Sequence, residues 1–162
     1  MIILGVDPGS IRTGYGVIES DGRRHRLLDK GVLKPAARSS LPERLRQIHD
    51  GLARLIARHA PDVLAVEDVF HAANTRTALV LGHVRGVVLL AGAERGVPVH
   101  EYAPATVKQQ ITGFGRAEKS QVAFMVTRLL ELGAEAEPGD ATDALAAALC
   151  YACLRVSIGA TS

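Results

Sequence analysis

The order in which hydrophobic periodicities change along the chain restricts its fold more than any single motif. Residues 2–34 hold three strand-like segments, Ile2–Asp7, Gly14–Glu19 and Arg26–Lys34, separated only by turns carrying Gly, Asp and Pro. Connections this short suit antiparallel hairpins. From residue 41 the period lengthens. Leu41, Leu45, Ile48, Leu52, Leu55 and Ile56 follow three- and four-residue spacing, so LPERLRQIHDGLARLIARHAPD reads as an amphipathic helix. Pro42 is tolerated in its first turn and Pro61 stops it. A short buried strand, DVLAVED, then precedes a helix over NTRTALVLGHVRGVVLLAGAERG, and GVPVHEYA is the next strand. Two helices close the chain, one over Lys119–Leu132 and one beginning near Asp140. The order β-β-β-α-β-α-β-α-α predicts an α/β fold. Its five-stranded mixed sheet has three antiparallel strands, then two from crossover units, with helices on its flanks.

At 162 residues the chain is expected to form one domain, 1–162, with room for a full core. A hydrophobic share of 48% with 22% charged residues argues for a folded globule rather than a disordered or fibrous chain. With 4% aromatic residues, that core must come from Val, Leu, Ile and Ala. No uninterrupted apolar stretch reaches the ~18 residues of a membrane span, and the start lacks a signal-peptide pattern. A cytoplasmic protein with no membrane partner is the expectation. The net charge of +2 announces no nucleic-acid binder by itself. Its distribution is uneven, since residues 1–60 carry eleven Lys/Arg against six Asp/Glu and residues 61–162 eight against eleven. Cys150 and Cys153 lie in an Ala/Leu-rich helical run without a second pair to complete a zinc site, so they read as buried free thiols.

The helix from Thr77 to Ala91 is apolar around most of its circumference and must be covered on two sides. It is either the central helix of its layer or a subunit interface.

Acids end two of the predicted strands. Asp7 closes the first, where Asp-Pro-Gly is either turn chemistry or a carboxylate held for a cation. Glu67 closes VLAVE on the same strand face as Val63 and Ala65, with Asp68 on the other face, so Glu67 is favoured. In open α/β sheets, ligands bind beyond such carboxyl ends. Asp140 and Asp143 stand three apart at a helix start and project from one face. Helix capping accounts for Asp140 but less well for Asp143, which precedes a wholly apolar helix. Four carboxylates gathered together raise one another's pKa and persist as anions when hard cations bridge them. An all-oxygen set selects Mg²⁺ or Mn²⁺ over zinc. Two such ions ~4 Å apart suit in-line attack of water on a phosphodiester.

Five segments, VDPGSIRTGYGVI, LAVEDVF followed by Asn74, LGHVRGVV, VKQQITGFGRAEKSQV and DATDALAAAL, resemble the signature segments of the RuvC family of crossover junction endodeoxyribonucleases. They occur in the family's order and span nearly the whole chain. The resemblance implies a ribonuclease H-like fold and a homodimer that resolves Holliday junctions by paired symmetric nicks, in recombination and repair. It places the metal-binding acids at Asp7, Glu67, Asp140 and Asp143, holding two Mg²⁺ or Mn²⁺ ions per subunit. Asp140 stands at the position where the family varies and histidine also occurs. Lys119 would neutralise charge at the scissile phosphate. Lys108 and Lys119 would contact phosphate, and Arg12, Asn74 and Arg76 are further candidate DNA contacts. Phe70 is either a core residue or an aromatic that stacks on an unpaired base at the crossover. The helix 77–91 becomes the candidate dimer interface, and Arg76 and Arg85 could serve either DNA or the dimer. The family works beside the RuvA–RuvB branch-migration machinery.

Three other readings are open to test. An actin-like phosphotransferase shares the D-x-G hairpin but needs a second domain. A non-catalytic junction-binding module gives no reason for acids beside phosphate. A related nuclease acting on RNA would use identical metal chemistry.

Overall fold

The computed structural model describes residues 1–68, 74–133, 136 and 138–159, with side chains through Arg155. Strands β1 (Ile2–Asp7), β2 (Thr13–Ser20) and β3 (His25–Leu33) are followed by α1 (Leu41–His59) and β4 (Val63–Glu67). Then come α2 (Thr75–Glu94), β5 (Val99–Tyr102), α3 (Pro104–Thr112), α4 (Lys119–Leu129) and α5 (Asp140–Gly159). The sheet order is β3-β2-β1-β4-β5. Pairings β1–β2 and β2–β3 are antiparallel, while β1–β4 and β4–β5 are parallel. The hairpins arise because the connections between the first strands are too short to cross over. Each later strand arrives through a helix, and so runs parallel.

The alternation of side chains divides the core into two layers. Ile3, Val63 and Ala65 face α3, α4 and α5, packing with Val107, Val122, Val126, Leu145 and Leu149. Leu4, Val6, Leu64 and Val66 face α1 and α2, packing with Ile48, Leu52, Val84 and Val88. Helix α1 begins with the backbone N–H of Ser40 donating to the Glu43 carboxylate at 2.7 Å. It ends at Ala60 in the left-handed region, φ 44°.

Helix α3 was not expected from the sequence. Its nine residues bury only Val107 and Ile111, one turn apart, too short a stripe for periodicity to register. Pro104 at its first turn was the available signal.

Helix α2 also departs from expectation. Thr75–Ala93 reaches a mean hydropathy of 1.3, enough by length and composition to cross a membrane, although no uninterrupted apolar run does. Mid-helix, Arg85 pairs with Glu101 of β5 at 2.8 Å and with Asp68 at 3.5 Å, while Val84 and Val88 pack on the sheet. Within its own chain Arg85 therefore joins α2 to β5 and to the residue after β4. Neither cysteine forms a disulfide, and burial pushes the thiol of buried Cys150 up to about 12.

Helix α5 lies against the sheet at backbone distance because three facing strand positions have no side chain. A Cβ built on Gly5 would fall 1.9 Å from the Ala144 carbonyl oxygen, and one on Gly14 1.9 Å from the Asp140 carbonyl oxygen. One on Gly16 would meet the Leu145 side chain at 2.5 Å. In the sequence these glycines fall inside the first two strand-like segments, Ile2–Asp7 and Gly14–Glu19. In the fold they set how closely α5 approaches the end of β1.

Candidate metal centre

One residue beyond the last registered β1–β4 pair, Val6 with Val66, stand Asp7 and Glu67. They end neighbouring parallel strands and, by parity, both face the α5 layer. Asp68 turns to the opposite side and its pair with Arg85. The first turn of α5 brings Asp140 and Asp143 over the same strand end. A cleft of about 310 Å³ opens there, lined by Asp7, Glu67 and Asp143 with Lys108 of α3 and Lys119 of α4.

The electrostatics are unbalanced toward negative charge. Burial, then the charges of Glu67, Asp143 and Asp140, push the Asp7 carboxyl from 3.8 up to about 8, with Lys119 opposing. Burial and then Asp143 push Glu67 from 4.5 up to about 7, opposed by Lys119 and Lys108. Lys119 donates to Asp143 at 2.8 Å, and this bond is the main cause of its own raised pKa.

Asp140 stands apart. Arg12 donates to it at 2.6 Å, and it does not line the cleft. Among the described residues no three His, Cys, Asp or Glu side chains converge as a ready-made cage for one ion. Asp143 leans to Lys119 and Asp140 to Arg12, as repelling carboxylates do when protein cations are the nearest counter-charges.

The donor set nevertheless fits a hard divalent cation. Two carboxylates that burial drives toward protonation gain a reason to ionise only beside added positive charge, and every donor is oxygen.

The remaining candidates are dispersed. Asn74 caps α2, its side-chain oxygen accepting from the Thr77 N–H at 2.9 Å. Arg76 is exposed on the first turn of α2. Phe70 lies outside the described residues.

A mixed sheet in this strand order, with acids gathered at the carboxyl ends of two central parallel strands and lysines facing them, defines the ribonuclease H-like class of phosphodiester-cleaving enzymes. Within that class, residues 3–151 match the family model for crossover junction endodeoxyribonuclease RuvC, and the chain belongs to the RuvC family. It is 54% identical over 150 residues to the crossover junction endodeoxyribonuclease RuvC of Halorhodospira halophila, covering 93% of this chain and 89% of that one. The corresponding enzyme of Desulforamulus reducens is 49% identical over 152 residues, covering 94% and 93%. The structure superposes on T. thermophilus RuvC in complex with Holliday junction substrate with a TM-score of 0.89, at 37% identity and 96% coverage of both chains.

Proposed function

We propose that this chain resolves four-way DNA junctions by paired symmetric nicks, with Asp7, Glu67 and Asp143 holding two Mg²⁺ or Mn²⁺ ions. Asp140 serves as an outer ligand that must first exchange its Arg12 partner. The observation that carries this reading is the pair of buried, high-pKa carboxylates at adjoining strand ends, faced by Lys108 and Lys119. Bound divalent ions would supply the Lewis acidity for in-line attack of water on a phosphodiester, leaving a 5′ phosphate and a 3′ hydroxyl. The chain's own groups do the rest. Lys108 and Lys119 draw the phosphate into the cleft, and Lys119 offsets charge that builds on it. Val107, Val122 and Leu81 line the same cleft and limit water there. Arg12, Asn74 and Arg76 extend the DNA-facing rim, and Phe70 stacks at the crossover.

The test is cleavage of a synthetic four-way junction with Mg²⁺ or Mn²⁺, beside a linear duplex and an RNA–DNA hybrid of the same sequence. Symmetric nicks confined to the junction are expected. Cleavage of the hybrid with the junction left intact would keep the metal chemistry and replace the substrate.

Two nicks related by a two-fold axis need two sites in fixed relation, which a C₂ dimer provides. The outward face of α2 supports that assembly. Leu79 is 62% exposed and Leu90 51%, and a Cβ on Gly82 or Gly86 between them would meet open space. Apolar exposure of this kind marks a contact surface. Leu79→Glu is expected to convert a sedimenting dimer into a monomer at micromolar concentration, with a melting temperature that no longer rises with protein loading. A wild-type monomer would remove the assignment. A single domain, a cytoplasmic location and work beside RuvA–RuvB complete the reading.

A further inference from the structure

The connection between α3 and α4 has a construction that the catalytic site does not require. Phe114, the largest apolar side chain in it, is 57% exposed. Yet the backbone that carries it is closely held. The Phe114 N–H donates to the Thr112 hydroxyl at 3.1 Å, and that hydroxyl donates to the Lys108 carbonyl at 2.8 Å. Gln109 bridges the turn, its side-chain N–H donating to Gly113 O at 2.8 Å and its oxygen accepting from Gly115 N at 3.0 Å. The Ala117 N–H donates to Phe114 O at 3.0 Å, and the Ala117 side chain is buried. Gly113 supplies the left-handed conformation, φ 77°, that starts the turn.

A loop fixed this firmly holds its exposed side chains in one place, which lowers the ordering cost of a contact made through them. The neighbouring charges indicate what kind of partner that is. Residues 104–128 carry Lys108, Arg116, Lys119 and Arg128 against a single acid, Glu118. Arg116, two residues after Phe114, is exposed. The two helices that flank the loop are those that bring Lys108 and Lys119 to the cleft. An aromatic between cations on a rigid turn matches the sugar and base faces of DNA lying between its phosphates.

Building on the proposed junction-cleaving activity, we propose that the 113–117 turn is a second, preformed DNA contact beside the cleft. Phe114 packs on a nucleotide of the arm that enters the cleft, and Arg116 binds its backbone phosphate. The contact is separate from the metal-holding acids and sets how the arm lies across them.

Anisotropy titrations of a labelled immobile four-way junction, in EDTA so that nothing is cut, test this with wild type, Phe114→Ala and Arg116→Ala. Phe114→Ala is expected to weaken binding about tenfold with an unchanged salt slope. Arg116→Ala should reduce the slope of log K against log[salt] by about 0.9, the signature of one lost phosphate contact. Both variants should melt with the wild type, because both side chains face solvent. Binding of Phe114→Ala within twofold of wild type, on an unaltered fold, would overturn the contact and leave the nuclease reading standing. If wild type itself failed to bind the junction, the activity and this contact would fall together.

Discussion

Asp7→Asn is expected to abolish nicking and, in the absence of divalent ions, to raise the melting temperature at pH 8. The loss of activity follows from removing a largely buried oxygen donor that lines the cleft. Ion-assisted stabilisation of the transition state is worth several kcal/mol, so the rate should fall by on the order of 10³-fold or more. The gain in stability follows from the raised pKa. Below about pH 4 both folded and unfolded Asp7 carry a proton, and the group contributes nothing. Between 3.8 and about 8 the unfolded chain releases that proton while the folded chain keeps it, so stability falls as pH rises. The slope for a group fully out of balance is about 1.4 kcal/mol per pH unit. Above pH 8 the full cost of a buried, crowded carboxylate is present. Glu67 adds a similar decline between 4.5 and about 7. Asparagine cannot ionise, and its absence of charge also relieves Glu67. Melting curves in EDTA at about pH 4 and pH 8 should therefore converge at the lower pH and separate at the higher, with the variant more stable. Adding Mg²⁺ or Mn²⁺ should lift the wild type selectively, through binding to the folded state. A variant that melts below wild type at pH 8 without ions would remove the account of Asp7 as an electrostatic liability.

Gly14→Ala is expected to lower both stability and activity, although a methyl group is its only addition. Its Cβ would sit 1.9 Å from the Asp140 carbonyl oxygen and 2.3 Å from the carbonyl carbon, and both are backbone. No flexible side chain can swing aside, so α5 or β2 must move. Overpacking costs about 1–3 kcal/mol, which for a chain this long lowers the melting temperature by roughly 2–4 °C per kcal/mol. The displaced segment is the first turn of α5, which carries Asp140 and Asp143. A shift of about 1 Å in a catalytic group can cost on the order of 10²-fold in rate. Gly133→Ala is the control, since its Cβ meets nothing within 4 Å and should leave both properties unchanged. Wild-type rate and melting temperature in Gly14→Ala would show that α5 needs no such close approach.

Local patterns foretold much of this architecture. A period of two in VLAVED placed Glu67 and Asp68 on opposite faces, and the sheet has them there, Glu67 toward α5 and Asp68 toward Arg85. The switch from bare turns to helical connections foretold which strands run antiparallel. Contacts between distant residues were illegible. Nothing in IRTG shows that Arg12 will meet Asp140, 128 positions later. Nor does a glycine within a strand show that a helix from the far end of the chain rests on it. Arg85 looked available for DNA or a partner because Glu101 and Asp68 reach it only once β5 lies beside β4. Phe70 lies outside the described residues, so that expectation stands on the family resemblance.

The Arg85 link has a mechanical consequence. It bolts the middle of α2 to Asp68, the residue after Glu67, and to Glu101 on the adjoining strand. If two copies meet through α2, the path from one cleft to the other would run strand tip, ion pair, helix, helix, ion pair, strand tip. The spacing between the two cuts would then be a property of the assembly, like the jaws of a fixed gauge. A junction would have to bend to fit that gauge before either strand could be cut, so the DNA's willingness to bend would help decide which crossovers are cleaved.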